Sequence, residues 1–153
     1  ALFGAADRLS DAGRREDRGA FWQSIHGTLS HIYWGDRMWF SRFKLCDAPG
    51  VAQKQSAAFV EDWADLTRQR GELDDRIAEW CDAFPAGPVS GQLTWFSGSL
   101  GRDTEAPLGV LLPHIFNHQT HHRGQAHAMI TTAGGVTADT DLFLMPAGLW
   151  PGG

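Results

Sequence analysis

Histidine is the residue type in this chain whose number and spacing point to chemistry. The 153 residues contain seven histidines, which fall in two stretches: His26 and His31 in one, and His114, His118, His121, His122 and His127 in the other. Imidazole titrates near neutrality and is the commonest nitrogen ligand for metal ions. The second stretch carries apolar residues at helical spacing: Leu108, Leu111, Ile115, then a gap, then Ala126, Met129 and Ala133. Positions 118 and 122 fill that gap in steps of three and four. His118 and His122 therefore stand where a packed helix would carry Leu or Ile, one turn apart on one face. Two buried imidazoles without partners would cost stability, because each has a donor and an acceptor to satisfy. A shared cation satisfies the acceptor nitrogens and leaves the N–H groups for neighbouring side chains.

A third ligand must come from another helix. His31 is flanked by Gly27 and Gly35, one turn before and one turn after it. Glycine inside a helix costs about 1 kcal/mol relative to alanine, so two on one face need a reason. Open space around His31 is one, and close helix packing is the other. His26 lies near the helix start and is the poorer candidate. His114 is one turn before His118, but Pro113 leaves its direction open; His121 and His127 fall at the edge of the stripe. Spacing alone leaves a set of polar core or surface histidines as an equal alternative to a metal site. No acidic residue falls on the inner stripe of the last helix, and the Glu-x-x-His pairs of di-iron carboxylate bundles are absent. Three neutral imidazoles holding one ion, with a position left for water or substrate, is the arrangement of a catalytic rather than a structural centre.

The elements that must position these residues follow from periodicity. A first helical stub runs from about Ala1 to Leu9 and reads as the middle of a helix that begins upstream. The stretch Ser10–Arg18 reads as its end and a loop. A second helix spans about 21–44, with Trp22, Ile25, Leu29, Ile32, Trp39 and Phe43 in the three-and-four rhythm. Pro49-Gly50 marks a loop. A third helix spans about 56–84, with Phe59, Trp63, Leu66, Leu73, Ile77, Trp80 and Phe84 on one side, and only Arg70 interrupts the stripe. Pro85–Pro88 stops it. Leu93, Trp95 and the Ser-Gly-Ser at 97–99 suggest a short strand or hairpin. The fourth helix runs from about Pro107 to Gly134-Gly135, with Pro113 as a kink or a first turn. In the tail, Leu142, Phe143, Leu144 and Trp150 are expected to cover the bundle or a neighbouring subunit. The fold expected is all-α: a four-helix bundle, with a possible short hairpin before the last helix, forming a single domain over 1–153.

Composition narrows the function classes. With 42% hydrophobic and 20% charged residues the chain reads as globular. The formal net charge is −5 and the cations form no stripe, which argues against nucleic acid as a partner. No apolar run reaches the roughly 18 residues of a membrane span, and no signal-peptide pattern opens the chain. Cys46 and Cys81 form no CxxC pair, so a reducing, cytoplasmic setting is expected, with Cys81 as a buried thiol.

Two segments also resemble a known family. "SIHGTLSHIYWGDRMWFSRF" (24–43) and "LLPHIFNHQTHHRGQAHAMITTAGG" (111–135) are similar to the signature regions of the DinB/YfiT-like family of metalloenzymes, and the similarity extends to Asp141–Pro146. The resemblance implies a four-helix bundle, a homodimer, and a histidine site for zinc, nickel or another divalent ion (iron, cobalt, copper or manganese). The family's "T-L-x-H" string matches His31, and its "N-H-x-x-x-H-R-G-Q" string matches His118 and His122. The aromatic-rich string that family members carry on the first helix is missing here.

The resemblance further implies a thiol S-transferase that uses a low-molecular-weight thiol on small electrophiles. On that reading Asn117, Gln125 and Asp36 are candidates to hold imidazole N–H groups, with purely structural roles as the alternative. Arg37 and Arg123 are candidates for an anionic substrate, or else solvated or ion-paired. Trp34, Trp39 and Trp95 wall a pocket or belong to the core. A metal-dependent hydrolase and a non-enzymatic, stress-induced metal-binding protein are the alternatives.

Overall fold

In the computed structural model, residues 1–85, 87–146 and 148 are described. They form, in chain order, α1 (Leu2–Asp7), α2 (Asp11–Arg15), α3 (Ile25–Arg42), a 3-10 segment (Gln53–Ala58), α4 (Trp63–Asp82), β1 (Gln92–Ser97), β2 (Arg102–Pro107), α5 (Leu108–Thr132) and a second 3-10 segment (Leu142–Leu144).

Helix α3 is the centre. It starts where the Ser24 side chain accepts from the Gly27 N–H, a standard N-cap. Every residue from Ile25 to Asp36 is buried, because α2, the first 3-10 segment, α4 and α5 all pack on this helix. Ile25, Leu29 and Ile32 meet Leu66 and Leu73 of α4 and Ala126, Met129 and Ile130 of α5 in one core, which α1 extends through Ala5 and Ala6. A helix buried on all sides loses the one-sided pattern that marks amphipathic helices. The position of His31 could therefore not be read from an apolar stripe.

Several expectations are corrected. The chain is mostly helical but not all-α, because Gln92–Ser97 and Arg102–Pro107 pair as a two-strand antiparallel sheet, with Trp95 opposite Thr104. The second strand, Arg-Asp-Thr-Glu-Ala-Pro, carries no alternating apolar face and so gave no strand signal. Residues 10–18 contain a second helix, not only a loop. Ser10 caps it by accepting from Gly13, with Asp11 in its first turn and Arg14 and Arg15 in its last. Helix α3 starts at Ile25, not 21. Helix α4 starts at Trp63, not 56, with Asp62 as its cap, and Phe59 and Phe84 lie outside it. Cys81 is exposed. Leu142, Phe143 and Leu144 are exposed rather than laid over this chain's helices, and Trp150 lies outside the described residues. Pro113 falls inside α5, where its ring removes one backbone bond. Gly134, at φ 82°, follows the C-cap of that helix as expected. Among the described residues no helix is long and apolar enough to cross a membrane.

Candidate metal centre

Helices α3 and α5 run antiparallel, and their contacts step in register. His31 lies edge-on to His122 with ring centroids 4.6 Å apart. One turn further along α3, a Cβ added at Gly35 would stand 3.1 Å from His118 Cε1. A turn beyond that, Trp39 meets the His114 ring at 5.2 Å. The geometry brings His31, His118 and His122 together: one ligand nitrogen from each lies within 4.8 Å of the others, and among the described residues the group includes no carboxylate. His31 Nε2 and His118 Nε2 are 3.3 Å apart. Two nitrogens bound at the usual zinc distance in a tetrahedron are separated by about 3.3 Å, so the spacing of this pair is compatible with a shared cation as well as with an N–H···N bond between the rings.

Each outer ring is oriented from behind. His31 is 1% exposed. Its Nδ1 bonds Ser56 Oγ at 2.7 Å, and Ser56 is itself fully buried. His122 Nδ1 donates to Gln125 Oε1 at 2.8 Å. Both bonds aim Nε2 into the cluster. The Trp22 indole stacks on His31 at 4.0 Å, and Trp34 stacks on it at 5.9 Å. Burial, reinforced by His122 and His118, pulls His31 down to about 3. Burial and its histidine neighbours pull His118 down to about 4. Burial also lowers His122, against the bond that it donates to Gln125. The three rings are therefore neutral at pH 7, the form that ligates.

These shifts give a pH prediction. The unfolded imidazoles take up protons near 6.5, while the folded His31 and His118 resist to about 3 and 4. Between those limits the unfolded state binds more protons, so stability must fall as pH falls. The metal-free protein should lose melting temperature progressively from pH 6.5 toward pH 4. The slope should be shallower in His118→Leu; equal slopes in the two proteins would refute the assignment.

The two glycines serve backbone and ring contacts, not empty space around His31. A Cβ at Gly27 would meet the Trp22 carbonyl at 2.5 Å, so Gly27 admits the turn that lays Trp22 on His31. Gly35 makes room for His118. Gly35→Ala should gain helix propensity, leaving metal-free stability within about 1 kcal/mol, yet displace the His118 ring and weaken metal affinity tenfold or more. Calorimetric titration with zinc checks this, and unchanged affinity would show that the contact is slack.

Of the other candidates, Gln125 holds a ring N–H, the first of its two readings. Asn117 is exposed. Asp36 holds no imidazole. It is 1% exposed, accepts from Gln119 Nε2 at 2.7 Å and pairs with Arg70, which also pairs with Asp74. Burial raises the Asp36 carboxyl pKa, and Arg70 and Gln119 pull it back. Burial opposes the Arg70 charge, but the two carboxylates outweigh it and raise its pKa. His26 bonds the Val60 carbonyl at 2.8 Å, away from the cluster. His114 and His121 are exposed and outside the trio. Arg37 donates to the Asp47 carbonyl. Arg123 lines a cleft of about 890 Å³ between α5 and residues 137–146, which none of the three histidines lines. Trp34 is in the core, and Trp39 and Trp95 form a half-buried pair. Ser56 and Trp22 were not identified from the sequence. A serine in a short 3-10 segment carries no periodic signal, and Trp22 read as an ordinary core position.

The fold and the cluster define a mostly helical protein with a carboxylate-free group of three imidazoles that could hold a metal ion. A model of the DinB family matches residues 1–148, and the chain belongs to that family. It is 32% identical to Protein DinB of Bacillus subtilis (strain 168) over 128 residues, 79% of this chain and 71% of that protein. No solved structure matches it.

Proposed function

We propose that His31, His118 and His122 ligate one divalent ion, zinc or nickel ahead of iron, cobalt, copper or manganese, and that the centre serves a thiol S-transferase acting on small electrophiles. The observation that carries the reading is the convergence of three neutral imidazoles, with no carboxylate among them, across two antiparallel helices. A cation held by neutral ligands keeps its full charge and lowers the pKa of a bound thiol, giving the nucleophilic thiolate. The chain's own residues do the positioning. Ser56 and Gln125 fix two of the rings, Trp22 and Trp34 keep water from the faces of His31, and Gly35 sets the depth of His118.

A hydrolase would need a general base beside the site. Asp36 is the buried carboxylate on α3, and Arg70 and Gln119 already occupy it, which favours the transferase. The test is a panel of low-molecular-weight thiols with a chromogenic aryl halide, using zinc- and nickel-loaded protein. Conjugation that depends on metal and on His118 is the expected result. Metal bound stoichiometrically with no turnover of any thiol would overturn the transferase and leave a non-enzymatic metal-binding protein.

A further inference from the structure

Beyond the trio, the stepped contacts between α3 and α5 continue to a second cluster around Trp39 and His114. The Arg42 guanidinium lies over the Trp39 ring at 4.2 Å and over the Trp95 ring at 5.2 Å. The two indoles meet at 5.6 Å, and His114 packs edge-on against Trp39. Arg42 is half-buried. Among the described residues it has no ion pair and no hydrogen bond; Arg8, Arg102 and Arg123 share that but are exposed, whereas the other partly buried arginines have partners, carboxylates for Arg14, Arg18 and Arg70 and a backbone carbonyl for Arg37. The nearby hairpin does not supply the missing anion. Trp95 pairs with Thr104, so Asp103 and Glu105 project from the opposite sheet face, where Glu105 accepts from Thr94. Arg42 lies in the last turn of α3, where the helix dipole favours a cation. That accounts for the charge but not for its seat against two indoles with its N–H groups unspent.

We propose that Arg42, Trp39, Trp95 and His114 form an oxyanion subsite, which receives the carboxylate of a small molecule whose other end reaches the three imidazoles. A guanidinium lying against two indoles still offers N–H groups as a fork that matches a carboxylate. Helical side chains lean toward the N-terminus, so Arg42 reaches back to the level of Trp39. That level is one turn from Gly35, the seat of His118, and two from His31, or about 6 and 12 Å along the axis. The subsite thus selects anionic ligands of that reach. The anion site stands on the Arg42 geometry alone; the role of the far end rests on the metal–thiol reading.

The test compares 6-mercaptohexanoate with 6-mercaptohexanol. Binding to cobalt-loaded protein is read from the thiolate-to-cobalt absorption band, in wild type, Arg42→Met and Arg42→Lys. A charge-assisted bond worth at least about 1.5 kcal/mol predicts a preference for the acid of roughly tenfold or more in wild type. The preference should vanish in Arg42→Met and fall in Arg42→Lys, with the affinity for the alcohol unchanged. Equal preference in wild type and Arg42→Met overturns the subsite. In a second arm, 4-phenylbutyrate is added to metal-free protein, and the Arg42 Nε–H and the indole N–H resonances are followed by NMR. Shifts there without any cobalt–thiolate band uphold the anion site and reject the thiol reading; no shifts and no acid preference reject the subsite.

Discussion

Replacing any one of His31, His118 and His122 by alanine is expected to abolish stoichiometric metal binding. Loss of a group that merely supports a ligand costs about 10–100-fold in metal affinity, so loss of a ligand should cost more than 100-fold. Wild type purified with zinc and desalted should retain close to one ion per chain by elemental analysis, and the variants only traces. The metal-free forms should differ less. His118 Nε2 meets His31 Nε2, on a stripe shared with Leu111, Ile115 and Ala126. His118→Leu fills that stripe with an apolar side chain of similar size but leaves the buried His31 Nε2 without its partner, which costs about 1–3 kcal/mol. Its metal-free melting temperature should fall modestly below that of wild type. Ions at a thousandfold excess over Kd stabilise a fold by about 4 kcal/mol, so zinc should raise the melting temperature of wild type and leave His118→Leu unmoved. Equal metal content, or a zinc shift that survives in all three alanine variants, would end the proposal.

Asp36→Ala is expected to be the most destabilising single change outside the trio. The carboxylate is 1% exposed and its partner Arg70 is 13% exposed at the side chain. Breaking a buried pair by removing one member strands the other and costs about 3–5 kcal/mol. Asp74, still paired with Arg70, should hold the loss near the lower end, about 3 kcal/mol. Chemical denaturation measures it. Arg70→Met should be comparably damaging, and the double variant Asp36→Leu with Arg70→Met should recover a substantial part, because no charge is then left unpaired. The pair also bears on the site. Asp36 and Gln119 are the chain neighbours of Gly35 and His118, so their bond pins α5 against α3 where the imidazoles meet. Zinc affinity should fall in Asp36→Ala even under conditions where the variant is fully folded. A loss below 1 kcal/mol in both single variants would show that solvent compensates the charge.

The interruption of the α4 stripe by Arg70 was visible in the sequence, and the pairing explains it: a cation occurs on an apolar face because a buried carboxylate awaits it on α3. Which carboxylate that is was not visible, since residues 36 and 70 are far apart in the chain and no local pattern links them. The same division holds for the centre. His118 and His122 were legible because α5 has one buried face, and a repeat of three and four identifies what occupies it. The possibility of a hairpin before α5 was read from Leu93, Trp95 and the following glycine, but its second strand, polar and exposed, left no trace in the hydrophobic pattern.

By itself the sequence determined the two stretches that carry the histidines, the turn-to-turn spacing of His118 and His122, and, through its family strings, the choice of His31. Only the tertiary structure decided that α3 is buried on all sides, that Gly35 seats His118 while Gly27 admits Trp22, and that Ser56 and Gln125 aim the rings. It also decided that Arg42 stands against two indoles with no carboxylate paired to it among the described residues. The physical reason is that periodicity reports one helix against an average apolar environment. The meeting of side chains from α3, α5, the 3-10 segment and the hairpin depends instead on the register between elements, which the packing of the whole core sets.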